Sequence, residues 1–115
     1  MILRSALLLG TVAPIDQPAF DAHMRDVVVP AIGTYPGIRA VSLRKLVTSD
    51  PGAPPVYMQF DLVFDTLADM EAALASPVRD AVRERIKAGM GAFQGQVTHV
   101  VSELMTRDTL PDLAP

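Results

Sequence analysis

Cysteine and tryptophan are absent from the 115-residue chain, and histidine appears only twice. Without cysteine there is no disulfide, no thiolate metal site and no cysteine nucleophile. The two histidines, His23 and His99, show no His-x-x-x-His spacing, so no metal site is expected. An excess of positive charge is also missing. Ten Lys+Arg against 13 Asp+Glu give a net charge of -3, and the basic residues form no stripe, so nucleic acid is not an expected partner. No apolar run approaches the ~20 residues of a membrane helix, which excludes a membrane partner at this level. The amino-terminal MILRSALLLGTVAP has one arginine, a short apolar stretch and no Ala-x-Ala spacing. It reads as a strand rather than a secretory leader, and the expected compartment is the cytoplasm. The glycine-bearing GMGAFQG follows a helix, whereas phosphate cradles precede one. No cofactor is therefore expected, and no Ser/His/Asp spacing suggests a nucleophilic triad.

What is present points to one domain over residues 1–106, with a proline-bearing tail over 107–115. Half of the residues are hydrophobic, enough for a real core with apolar surface left for a partner. Residues 3–12, LRSALLLGTV, read as a strand stopped by Pro14. Asp16 is placed to cap a helix on which Phe20, Met24, Val27, Val28 and Ala31 share a face. Pro30 is expected to kink or fray its last turn, before the turn at Pro36-Gly37. A second strand follows over 38–47, then the proline-rich loop TSDPGAPPV. VYMQFDLVF, 56–64, alternates: Val56, Met58, Phe60, Leu62 and Phe64 point one way, and Tyr57, Gln59, Asp61 and Val63 the other. Thr66 caps a helix with Leu67, Met70 and Leu74 inward, and Ser76-Pro77 restarts it to carry Val78, Val82, Ile86 and Met90. A last strand over 96–105 closes the domain.

The order β-α-β-β-α-β implies an α+β, ferredoxin-like fold, a four-stranded antiparallel sheet with two helices on one face. Leu7 and Leu9 oppose Leu8 across the first strand, and Val97 and Val101 oppose Val100 across the last. A sheet apolar on both faces needs a second cover, and a homodimer packed sheet to sheet supplies it.

Phe20, His23, Pro30, Pro36 and Gly37, with Ser76-Pro77 and Phe93 further on, fall at telling intervals. In this the chain resembles the EthD-like family, small proteins named for a role in degrading ethyl tert-butyl ether, within the dimeric α+β barrel superfamily. The resemblance spans the first strand to the last and implies that fold and a dimer. It departs at two positions: the family's second histidine falls on Val28, and the aromatic after the first on Met24.

His23, at the edge of the helix's apolar stripe, is the candidate catalytic residue, as a proton shuttle or hydrogen-bond donor. Met24, Tyr35, Tyr57 and Asp61 are the candidate ligand-binding residues: an adaptable thioether, two hydroxyls and a carboxylate beside Gln59. Asp61 also suits a structural ion pair with Arg4 or Arg44. His99, between valines on its own face, reads as a core or interface residue. Three functions fit: binding a small apolar or aromatic molecule as an accessory to oxidative catabolism; cofactor-independent oxidoreductase, lyase or cyclase chemistry; and a structural homodimer without a ligand.

Overall fold

Residues 1–107 are described by the computed structural model; from 108 onward the expected tail lies outside them. Strands β1 (Ile2–Val12), β2 (Ile38–Lys45), β3 (Val56–Phe64) and β4 (Phe93–Glu103) form one antiparallel sheet in the order β2-β3-β1-β4. One helical arm joins β1 to β2 and another joins β3 to β4, and both pack on the same sheet face. The fold is ferredoxin-like α+β.

Register decides which face each side chain meets. Ala6 stands between Phe60 and His99, and Leu8 between Met58 and Val97. Alternation therefore sends Arg4, Ala6, Leu8 and their cross-strand neighbours beneath the helices, and leaves Leu3, Ser5 and Leu7 on the bare face. The alternation expected over 56–64 holds only from Met58 onward. Register shifts between the Leu8–Met58 and Leu9–Val56 pairs, so Tyr57 falls in a bulge. Its ring turns toward the first arm, edge-on to Phe20 at 5.7 Å, and its hydroxyl donates to Asp21 Oδ1 at 2.6 Å. Tyr57 thus parts from Gln59, Asp61 and Val63.

The first arm comprises α1 (Gln17–His23), a widened π-turn (Met24–Val28) and α2 (Val29–Ile32). The expected fraying at Pro30 does not occur. Instead the Val29 N–H donates to the Met24 carbonyl, five residues back, and the helix runs on through Pro30. Pro30 has no N–H to continue the regular ladder. Spacing supplies a second reason. Phe20, Met24, Val28 and Ile32 recur every four residues, which on a 3.6-residue helix drifts roughly 40° per step. One wider turn absorbs that drift, and all four are buried. Asp16 precedes α1 without a side-chain capping bond; Gln17 Nε2 donates to the Val12 carbonyl there at 3.0 Å.

The second arm is α3 (Leu67–Leu74), α4 (Val78–Gly89) and a short 3-10 turn, Met90–Ala92. Thr66 Oγ1 accepts from the Asp69 N–H at 3.1 Å, capping α3 as expected. Met70 and Ala73 are buried, whereas Leu67 is exposed. Ser76 does not cap α4; its hydroxyl donates back to the Ala73 carbonyl at 2.6 Å and closes α3 instead. Phe64, Met24, Met58 and Val28 anchor the core, each contributing roughly 1.5–3 kcal/mol by burial.

Candidate functional site

A cavity of about 270 Å³ lies between the two arms and the sheet, near the small end of the ~300–1,000 Å³ typical of ligand pockets. Space opens there because β1 places the methyl of Ala6, not another leucine, between Phe60 and His99. Leu8, Phe60 and Leu62 complete the floor; Met24, Val28 and Ile32 of the first arm, with Leu74, Ile86 and Met90 of the second, form the roof. Met24 and Val28 belong to the widened turn, so the feature that corrects the helix drift also shapes the wall. Such turns recur at functional sites.

Four polar side chains reach this apolar space: Arg4, Arg79, Arg83 and His99. Arg79 and Arg83 stand four residues apart on α4 and share a helix face. Arg4 pairs with Val101 and Ala6 with His99, which makes Arg4 and His99 diagonal neighbours on one sheet face. β4 is an edge strand, and Val97, His99 and Val101 are exposed along it. His99 therefore meets both the cavity and solvent.

The electrostatics are one-sided. No Asp or Glu lines the cavity. Burial, and then Arg79, lower the Arg4 guanidinium from its ordinary value. Burial, reinforced by Arg4 and Arg79, lowers the His99 imidazole. Burial raises the Tyr35 hydroxyl, against the opposing pull of Arg79, Arg4 and Arg83. A histidine shifted this way is mostly neutral near pH 7 and can accept a proton or a hydrogen bond. The guanidinium groups beside it are donors only.

The five residues singled out from the sequence fall in different places. Met24 forms part of the cavity wall. Tyr35 is buried within the electrostatic reach of the cavity arginines but outside the lining. Tyr57 sits at the far bulge with Phe20, Asp21 and Lys45, whose Nζ donates to Asp21 Oδ2 at 2.7 Å. Asp61 is buried on the sheet face away from the helices. It accepts from Ser5 Oγ at 2.6 Å and Gln59 Nε2 at 3.0 Å on Oδ1, and from Arg44 and Ser42 on Oδ2. Burial raises its carboxyl, but the bonds from Ser5 and Gln59, with the Arg44 charge and Ser42, hold it below the ordinary value. Of the two ion-pair partners considered, Arg44 is found and Arg4 is not: Ser5, one residue on, stands opposite Asp61. His23 lies between the arms, where Nε2–H donates to the Arg85 carbonyl at 2.7 Å. Its ring covers Gly89, where any Cβ would overlap it. It does not line the cavity.

Of the cavity's polar residues, Arg79 and Arg83 escaped the sequence reading, which took Arg4 as a possible ion-pair partner of Asp61 and His99 as a core or interface residue. The spacing of Arg79 and Arg83 was a usable signal. The convergence of that pair with Arg4 and His99 depends on how α4 crosses the sheet. Among the described residues no group of three or more His, Cys, Asp or Glu is placed to hold a metal, and no helix is long and apolar enough to cross a membrane.

No family model matches the chain, and no curated protein matches it. Solved structures do. An EthD family protein from Bacillus halodurans is 22% identical with a TM-score of 0.71, over 91% of this chain and 100% of that one. A dimeric protein of unknown function and ferredoxin-like fold from Bacteroides fragilis is 14% identical with a TM-score of 0.62, over 90% of this chain and 95% of that one. An antibiotic biosynthesis monooxygenase is 14% identical with a TM-score of 0.59, over 92% of this chain and 100% of that one. At these identities the likeness carries the fold.

Proposed function

We propose that the protein binds a small apolar or aromatic molecule in the cavity between arms and sheet, as an EthD-like accessory to oxidative catabolism. One observation carries the reading: a mostly apolar cavity between the helical arms and the sheet, with a few convergent polar groups. Two flexible thioethers, Met24 and Met90, flank it and allow it to adapt. A purely structural dimer has no use for such a space. Binding of one- and two-ring aromatic compounds, followed by saturation-transfer NMR, tests the reading. Compounds should bind the parent protein, and Ala6→Leu, which extends a side chain into the cavity, should abolish binding while the circular dichroism is retained. No binding by any compound, or binding indifferent to Ala6→Leu, would refute it.

A second reading, cofactor-independent oxidoreductase, lyase or cyclase chemistry, is favoured by His99. Its lowered imidazole faces the cavity beside guanidinium donors, so the proton-handling role first assigned to His23 fits His99 better. In either case the working unit is a homodimer. The bare sheet face carries Leu3, Leu7 and Leu9 around the Asp61 network, and the B. fragilis neighbour is described as dimeric. Specific interfaces of this kind bury well over ~1,000 Å².

A further inference from the structure

We infer that the ligand carries a carboxylate, held by Arg79, Arg83 and Arg4 while its apolar part rests on the methionine-lined wall; this rests on the ligand-binding reading of the cavity. Three guanidinium groups line one cavity, and no acidic side chain lines it with them. Elsewhere in the described residues Arg25 pairs with Asp26, Arg39 with Asp65, Arg44 with Asp61 and Lys45 with Asp21, while Arg85 and Lys87, which form no salt bridge, are exposed to solvent. None of Arg4, Arg79 and Arg83 belongs to a salt bridge there. Arg79 makes one long bond, 3.4 Å, to the Leu74 carbonyl. Glu103 shares the sheet face of Arg4, opposite Ile2, yet forms no ion pair with it.

Like charges beside an apolar wall oppose folding unless a counter-charge joins them. Arg4 and His99 are both lowered by burial and by the surrounding arginines. A bound carboxylate offsets the like-charge part of both shifts. Guanidinium forks match a carboxylate's two oxygens, and charge-assisted bonds of this type are the stronger class. The arginines lie on α4 and at the sheet, so a carboxylate between them leaves the remainder of the molecule against Met24, Val28 and Met90.

Two probes of nearly equal shape separate charge from fit: 2-naphthoate and neutral 2-naphthamide, titrated by calorimetry and by NMR of the His99 ring. The naphthoate should bind at least about tenfold tighter, as expected for hydrogen bonds to a charged group, and should raise the His99 pKa, whereas naphthamide should not. Arg79→Gln with Arg83→Gln should bring the two affinities together by weakening naphthoate more than naphthamide, with the circular dichroism retained. Equal affinities in the parent protein would overturn the inference and leave the cavity reading standing. A naphthoate preference that survives both substitutions would overturn the assignment to these arginines. If neither probe binds the folded parent, the cavity reading fails and this inference fails with it.

Discussion

Gly89 and His23 form a contact whose energetics reverse with the partner present. A side chain at Gly89 would overlap the His23 ring, while Gly89 itself ends α4 at φ -112, a conformation open to alanine. In the parent protein Gly89→Ala must displace the imidazole and break its bond to the Arg85 carbonyl, an overpacking cost of about 1–3 kcal/mol. His23→Ala alone loses one hydrogen bond at an exposed helix end, where water replaces the donor. That change costs about 1 kcal/mol. With His23 already removed, the three nearest obstructions to a Cβ at Gly89 are gone, and alanine's lower conformational entropy makes Gly89→Ala neutral or favourable by up to about 0.5–1 kcal/mol. The two substitutions should therefore couple by about 1–4 kcal/mol, well outside the ~0.3–0.5 kcal/mol within which independent sites add. Urea unfolding of the four proteins at one concentration, followed by circular dichroism, measures the cycle. A probe titration beside it should show binding unchanged in His23→Ala, because His23 does not line the cavity. Additive stabilities would refute the packing role. Weakened binding by a well-folded His23→Ala would return His23 to the site.

Three further outcomes are expected. Asp61's lowered carboxyl adds stability that is complete above the unfolded-state pKa and is lost as pH falls through the folded value. Asp61→Asn should flatten this acid limb of the stability profile and, by disturbing the donors from Ser5 and Gln59, cost about 1–3 kcal/mol at neutral pH. His99 should titrate below its ordinary range in NMR, and Arg79→Gln should move it back up, since Arg79 is one of its depressing charges; an unmoved His99 would separate the two. The parent protein should scatter light as a dimer at micromolar concentration, and Leu7→Arg on the bare face should give a folded monomer. A parent monomer would count against the sheet-to-sheet dimer.

The strands were legible because alternation is a local property. Val56–Phe64 has the bounds that its hydrophobic pattern suggests, and Thr66 caps α3 because capping involves residues only three apart. The order of elements then restricts the fold to few arrangements, and the ferredoxin-like one is found. Bulges and wide turns are not local in this sense. Tyr57 leaves its expected face because β1 shifts register against β3, and the first arm widens at Met24–Val28 to keep a four-residue apolar repeat on one core. The site was least legible of all. The sequence put His23 at the edge of a helix stripe as the candidate site residue and His99 between valines as a core or interface residue. Tertiary structure separates them, setting one against Gly89 between helices and the other beside Arg4 on the cavity floor. Arg79 and Arg83 could be placed on one helix face from their spacing, but what that face meets is fixed only when α4 packs across the sheet. A sequence specifies which residues share a face; which faces meet, and which charges are brought together with no acid among them, follows from packing over distances no local pattern spans.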